Sequence, residues 1–561
     1  MTIQPTDFDL LAGVLQWGQA LLSIIVIFLG VALIAALATS GLSGLKAIGK
    51  GLISAILASR SPRRALVALW LAYEESGLKV VGDGLMRAFW DFASISPRRV
   101  FAIMRLTFKE AVRRKALLVF VVFAVLFMFA SWFLTGDSHR PGMQMKVYVS
   151  FVLTAVAWLV LPVILLLSCW GLPEDIRLRS LHTVVTKPVR RNEVVLGRIL
   201  GFASVGTLIL GIMSVVGFVW INRQVSAETD LTCRVPVYGE LSFLDRVGNP
   251  GEGVNVGDQN ETRSFIEGGS KATAIWKFKL PEQPDKLRLE SRFEAFRTWK
   301  GDMENTLRVQ FTIVNSKSGL RVPLPDVIHV AEFSNNEIVL NKKLDYKDVK
   351  TGGDLTADLY KDLAPDGELE VHAQCLDTGQ YVGVSVGDFF VRLEDRSFAT
   401  GYFKAIFGIW LLNVLIVMFG VTSSCFVKGP VASLLCFSLF IIGQFFHPFM
   451  EKILSGEQLG GGTFESMYRL VRHMNEQSPL PEGFLTTTIK FIDEMLVDCL
   501  WLVQHIIPDL SSFGMSPYVA SGFDVPWAGA MLPALAITIG YFIPCLLIGY
   551  FSLSLRELEA K

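Results

Sequence analysis

The chain has 561 residues, of which 51% are hydrophobic and only 19% are charged, and its mean hydropathy is +0.45. An ordinary soluble domain carries roughly 25% charged residues, so the composition excludes such a domain and indicates a membrane protein. The 52 basic and 52 acidic side chains give a net charge of zero, so the overall balance does not point to nucleic acid, and only the distribution of charge along the chain is informative. We expect no nucleic-acid partner.

Membrane-spanning helices are predicted from charge-free apolar runs of about 20 residues or more, since hydrocarbon offers backbone groups no partner outside the helix. Seven runs contain one such core each: residues 10–45, 116–136, 147–173, 199–222, 405–427, 429–450 and 525–555. The sequence therefore predicts an α-helical polytopic membrane protein with about seven spans. The first of them is an N-terminal anchor helix within residues 1–45.

The distribution of Lys and Arg predicts the orientation, because these residues accumulate on the cytoplasmic side. Residues 46–115 hold fourteen bases against five acids, and residues 174–198 hold six against three. Residues 451–524 hold ten acids and four bases. We therefore expect the N-terminus outside and the C-terminus in the cytoplasm of a bacterial inner membrane.

The basic segment 46–115 ends in a predicted amphipathic helix that leads into the membrane helices of residues 116–222. Its apolar and cationic side chains recur at helical spacing on different faces, a pattern typical of a helix lying in the membrane interface. The residues concerned are Phe101, Met104, Arg105, Phe108, Lys109 and Arg113. A cytoplasmic extension of the following span is the alternative.

Residues 223–400 form an insert large enough to be a domain. Alternating runs at 274–280, 286–296, 306–314 and 367–375, separated by Gly-containing turns, predict antiparallel strands. We expect an extracytoplasmic β-rich domain, a sandwich. Its cysteines, Cys233 and Cys375, could pair in an oxidising compartment, and the sequence leaves that question open.

The C-terminal part begins with two membrane helices in residues 401–450 and ends with a last helix and cytoplasmic tail in residues 525–561. Between them lies segment 451–524, in which the apolar stretch 483–507 carries four charged side chains that argue against a span. The sequence predicts either an amphipathic helix at the outer surface or a re-entrant pair.

No motif for catalysis, metal binding or nucleotide binding is convincing. The seven histidines are dispersed, and "GLKAIGKG" at 44–51 has Gly51 where a phosphate-binding loop needs Ser or Thr. We therefore expect no enzyme activity, no metal and no cofactor in this chain. Since ion-coupled transporters need ionisable groups within the membrane, the charge-free runs also suggest that any uphill transport is powered by a separate ATPase.

The loop between the third and fourth runs has a definite local pattern, "GLPEDIRLRSLHTVVTKPVRRNEVVLGRILG" at 171–201. Pro173 followed by Glu174 and Asp175 predicts the start of a cytoplasmic helix. Pro188 ends that helix, because the residue before a proline is disfavoured in the α region, and a new helix begins near Arg191. The result is a short helix fixed to two spans.

This loop resembles that of type-2 ATP-binding-cassette (ABC) exporter permeases, including those related to the nitrous-oxide reductase maturation permease. The resemblance rests on Glu174, the "LHTVV" run at 181–185, Lys187 with Pro188, Arg190, and "LGR" at 196–198. "FKEAVRRKALL" at 108–118 is similar to the connecting helix of that family, and "PDLSSF" at 508–513 to its outer region. The resemblance implies a core of six helices, so the extra N-terminal helix and the insert depart from the family.

The resemblance implies that residues 174–191 are a coupling helix that docks on a separate ATPase subunit, which binds ATP and Mg²⁺. It also implies a dimer with a second permease copy or a paralogue, surrounded by membrane lipids. The coupling residues would be Glu174, Asp175, Arg177, Arg179, His182, Thr183, Lys187, Pro188 and Arg190. Two alternatives remain: the cations bind lipid headgroups, or the chain is a non-transporting anchor that displays a binding domain.

Overall fold

The computed structural model describes Gly18 and residues 86–87, 90–113, 118–133, 141–177, 189–225, 231–254, 263–296, 306–331, 335–347, 354–454, 461–475, 478–481 and 483–559. The predicted N-terminal anchor therefore lies outside the described residues, apart from Gly18. The described helices are α1 (Pro97–Arg113), α2 (Val119–Phe133), α3 (Pro141–Arg177), α4 (Arg191–Gln224), α5 (Phe398–Phe426), α6 (Gly429–Ile441), α7 (His447–Leu454), α8 (Thr463–Val471), α9 (Phe484–Ile506), α10 (Ser516–Ala520) and α11 (Leu532–Glu559).

Within the described ranges, five helical stretches are long and apolar enough to cross a membrane. They are Met145–Glu174, Arg191–Gln224, Phe398–Phe426, Gly429–Phe446 and Trp527–Ser554. They coincide with five of the predicted charge-free runs and indicate a membrane protein. Helix α2 is also apolar but is shorter than these five stretches. Helix α5 is the most enclosed of the five and packs against α3, α4 and α11.

The predicted helix start at Pro173 is wrong. Helix α3 continues through Pro162 and Pro173 to Arg177. A proline inside a helix removes one backbone hydrogen bond, but membrane helices tolerate that loss because neighbouring groups satisfy the freed carbonyl. The predicted second start is confirmed, since α4 begins at Arg191.

The insert is β-rich, as predicted. Its strands are β1 (Thr232–Cys233), β2 (Pro236–Tyr238), β3 (Glu240–Leu244), β4 (Pro250–Gly251), β5 (Ser264–Glu267), β6 (Thr273–Lys279), β7 (Lys286–Ser291), β8 (Glu294–Phe296), β9 (Leu307–Val314), β10 (Arg321–Pro323), β11 (Ile328–Val330), β12 (Asn336–Asn341), β13 (Lys343–Lys347), β14 (Asp354–Asp358), β15 (Glu368–Cys375), β16 (Tyr381–Val384), β17 (Phe389–Arg392) and β18 (Arg396–Ser397). The four alternating runs correspond to β6, to β7 with β8, to β9 and to β15.

The two larger sheets share one apolar core. One sheet has the order β10-β9-β15-β6-β3-β4, with β11 beside β9, and the other has the order β12-β7-β17-β2. Phe389 of the second sheet lies 5.0 Å from the Trp276 ring and 5.1 Å from the Phe311 ring of the first, between centroids. Gly269 and Gly379 have φ values of +72° and +74° in the turns at 267–270 and 377–380, a conformation that glycine adopts without strain.

The disulfide that the sequence left open does not form. Cys233 and Cys375 are both free. Cys233 packs in the core of the helices, whereas Cys375 packs in the core of the β-rich domain. Two thiols that belong to separate cores cannot reach the geometry of a disulfide.

Native alkylation should modify one cysteine per chain. Cys499 is exposed and the other six cysteines are buried. The thiolate is the reactive form, and burial raises the pKa of Cys233 to about 11 and raises that of Cys375. We expect mass spectrometry to find Cys499 alone labelled in the folded protein and all seven thiols labelled after denaturation without reductant. If two fewer thiols were labelled after denaturation, a disulfide would be present and this prediction would be wrong. Cys499→Ser is the control that should abolish native labelling.

Segment 451–524 is mainly helical, and its longest helix, α9, carries Lys490, Asp493, Glu494 and Asp498. Asp493 is buried and accepts hydrogen bonds from the backbone N–H groups of Phe464 and Glu465, at 3.0 and 2.8 Å. This carboxylate caps the N-terminus of α8 and holds it against α9. The helical character fits both predicted alternatives, an outer amphipathic helix and a re-entrant pair.

Candidate functional site

The predicted coupling loop leaves α3 at Arg177 and enters α4 at Arg191. Its residues 178–188, including Arg179, His182, Thr183, Lys187 and Pro188, lie outside the described residues. Glu174 is half-buried near the end of α3, and Asp175 and Arg177 belong to the last turn of that helix. On the α4 side, a group of polar residues surrounds the loop end. We call this group the loop base: Asp91, Arg99, Arg190, Asn192, Glu193 and Tyr550.

Glu193 is the centre of the loop base, and its side chain is fully buried. Arg99 forms a bidentate pair with it, with Nε 2.8 Å from Oε2 and a terminal nitrogen 2.7 Å from Oε1. The backbone N–H groups of Ser96 and Arg190 also donate to this carboxylate, at 2.8 and 3.2 Å. The hydrogen bonds that Arg99 donates to Glu193 raise the pKa of the guanidinium, so this fork-shaped pair stays ionised.

Arg190 and Asn192 fix the chain on either side of the α4 start. The Arg190 guanidinium donates to the Trp90 carbonyl at 2.9 Å and lies 3.5 Å from the Asp91 carboxylate. Asn192 donates to the Asp91 carbonyl at 2.7 Å. Arg190, predicted as a coupling residue, is therefore engaged within the chain, where it ties the loop end to the segment preceding α1.

The loop base also reaches the last helix. Tyr550 of α11 donates a hydrogen bond to the Asp91 carboxylate at 2.8 Å. Arg191 donates to the Ser554 hydroxyl at 3.3 Å. The start of α4 is thus bonded both to the chain around α1 and to α11.

Helix α1 is packed closely against α4 just beyond the loop base. Helix α4 presents a Gly-x-x-x-Gly pattern at 197–201, the arrangement that lets helix backbones approach each other in membranes. A Cβ atom placed on Gly197 would lie 2.7 Å from Ile103, and one on Gly201 would lie 2.5 Å from Thr107. Arg198 and Glu110 add an ion pair of 3.0 Å across the same contact. Neither glycine can therefore carry a side chain without displacing α1.

A helix, α1, forms where the interfacial helix is predicted, but the stripe it buries is offset by one residue. The structure buries Val100, Ile103, Thr107 and Ala111, all against the core of the protein. Phe101 is 61% exposed, Met104 and Phe108 are half-buried, and the three predicted cations are exposed: Arg105, Lys109 and Arg113. The offset arises because the glycines of α4 accept the small and branched side chains, which leaves Phe101 outward.

Ionisable groups occur at the ends of the apolar helices, beyond the charge-free runs. Glu193 and Arg198 lie in the first turns of α4, and Lys404 lies in the second turn of α5. All three are buried. A search for charge-free runs stops at such residues and therefore assigns them to loops. The signal that could have found them is the regular apolar spacing that continues past each charge.

The loop base connects helices through polar contacts. Its members are carboxylates, guanidinium groups, an amide and a phenol, each held in hydrogen bonds. Among the described residues no group of three or more His, Cys, Asp or Glu side chains could hold a metal ion. These contacts hold α1, α4 and α11 together at the loop end.

Comparisons with protein-family models, with curated proteins and with solved structures find no significant match to this chain.

Proposed function

We propose that this chain is the membrane-spanning permease subunit of an ATP-driven ABC exporter, coupled through the 174–191 loop to a separate ATPase. The observation that supports the proposal most is the bonding of the loop end. Glu193 ties the start of α4 to Arg99 and Ser96, and Asp91 ties the same region to Tyr550 of α11. A loop anchored in this way transfers a displacement to three helices.

The proposed mechanism needs no chemistry in this chain. ATP and Mg²⁺ are bound by the partner subunit, whose closure moves the loops of two permease copies, or of this chain and a paralogue, on the cytoplasmic side. The helices surrounded by lipid then rearrange and open a path to the outside. The seven-span topology, the orientation in a bacterial inner membrane and the sandwich form of the insert belong to this proposal.

The acidic pair at the end of α3 provides the test. The double variant Glu174→Arg with Asp175→Arg should abolish co-purification with a candidate ATPase subunit, and also the ATP hydrolysis that the complex stimulates in reconstituted membranes. Reversing two charges at a docking surface introduces like-charge repulsion and loses the complementary pairs. Pull-down and phosphate release measure the two effects.

A control with the same charge change separates docking from general damage. Glu282→Arg with Asp285→Arg alters two exposed acids of the β-rich domain, and this variant should bind and stimulate the ATPase like the wild type. If no ATPase co-purifies with the wild type, the second candidate takes the place of the first: a non-transporting multi-span anchor that displays the β-rich domain. The separate core of that domain is the observation that favours this candidate.

A further inference from the structure

The β-rich domain is joined to the helices through a paired stalk. Strand β1 follows α4 and strand β18 precedes α5, and the two pair antiparallel, with Cys233 opposite Arg396. The stalk sits tightly on α5, because a Cβ atom on Gly401 would lie 2.8 Å from the Cys233 sulfur. The chain thus enters and leaves the domain through one short ladder rather than through two independent linkers.

A third segment, residues 521–525 before α11, completes the stalk. The Arg234 N–H donates to the Gly522 carbonyl at 2.8 Å, and the Asp524 N–H donates to the Arg234 carbonyl at 2.9 Å. The Arg234 guanidinium covers the Phe523 ring at 4.5 Å and donates to the Glu290 carboxylate of β7 at 2.6 Å. Arg234 therefore connects the domain to the segment that leads into the last helix.

A buried ion pair closes the contact. Lys404 Nζ lies 2.8 and 2.7 Å from the two carboxylate oxygens of Asp524 and also donates to the Val525 carbonyl at 3.0 Å. The side chains of Lys404 and Asp524 are only 8% and 6% exposed. Arg396 of β18 adds a third bond to Asp524 at 2.9 Å. All three ammonium donors are used, and separating the partners would leave a buried charge unpaired.

We propose that this junction, formed by residues 232–234, 396–404 and 521–525, makes the β-rich domain a rigid cap of the membrane helices. The domain moves as one body with α5 and with the segment entering α11. Domains joined by ordinary linkers are expected to move relative to each other, and a receptor on a tether would do so. The paired stalk and the buried charges remove that freedom. The inference concerns this chain alone and does not depend on the exporter assignment.

Pulsed-dipolar EPR on the full chain in lipid nanodiscs tests the cap directly. Cys499, the exposed natural cysteine, is replaced by serine, and the two labels are placed at Val247→Cys, 69% exposed in the β-rich domain, and at Phe426→Cys, 46% exposed at the far end of α5. We expect a narrow distance distribution between the two labels in the protein with an intact junction. A distance distribution as broad as that expected for a flexibly tethered domain would overturn the proposal.

Hydrogen exchange provides a second test of the rigid cap. Lys404→Met should raise the exchange rates of amides in 232–234 and 521–525 by roughly tenfold or more, because opening the junction exposes them, and it should broaden the EPR distances. If that variant does not fold, Arg396→Gln keeps the Lys404 pair and should give a smaller increase. Lys317→Met is the matched control, since it breaks the exposed pair with Asp366 within the domain and should leave the junction unchanged. Unchanged exchange in both junction variants would refute the rigid cap.

Discussion

Replacing Arg99 with methionine should lower the unfolding temperature, because it leaves the Glu193 carboxylate buried without its cation. Since the Arg99 guanidinium is 36% exposed, the loss should be smaller than that of breaking a fully buried pair. The Ser96 and Arg190 N–H groups still donate to the carboxylate and reduce the loss further. Thermal unfolding of the full chain in detergent, followed by the loss of helical circular dichroism, measures the effect.

The order of the variants is the sharper part of this prediction. Glu193→Gln should cost less than Arg99→Met, since its neutral amide keeps hydrogen bonds and the remaining guanidinium, 36% exposed, can reach water. The double variant should therefore be more stable than Arg99→Met alone. A double-mutant cycle gives the coupling between the two sites, and additive effects would show that the bidentate pair contributes nothing to the loop base.

The helices were predictable because each depends on local composition. Apolar length is sufficient to place α4, α5 and the last helix, and alternation is sufficient to place β6, β9 and β15. The boundaries were less secure for a physical reason. Charges at helix ends, such as Glu193 and Lys404, are tolerated in the structure because distant residues neutralise them.

A single sequence does not reveal which distant residues pair with these charges. Glu193 is bonded to Arg99, and Lys404 is bonded to Asp524, 120 positions away in the chain. Nothing in the local pattern around Asp524 marks it as the partner of a membrane helix. The Pro173 error has the same origin, since the stability of α3 beyond that proline comes from tertiary packing, which local propensity does not include. The sequence therefore pointed to the loop but did not reveal the loop base that holds it.

A single methyl group at Gly201 should separate α1 from α4. The Cβ atom of Gly201→Ala would lie 2.5 Å from the Thr107 Cβ atom and 3.1 Å from the Met104 carbonyl oxygen. Overpacking of this kind costs about 1–3 kcal/mol, and here the backbone oxygen cannot rotate away. We expect a lower unfolding temperature and faster hydrogen exchange along α1.

Gly211 of the same helix provides the matched control, because nothing lies within 4 Å of a Cβ atom placed there. Gly211→Ala should be neutral or stabilising by up to about 1 kcal/mol, the usual advantage of alanine in a helix. Thr107→Gly removes the clashing atom and should restore part of the stability of Gly201→Ala. Equal effects of the two alanine substitutions would mean that helix propensity decides the result. A loss confined to Gly201 and relieved by Thr107→Gly would instead identify the close contact of α1 with α4 as the cause.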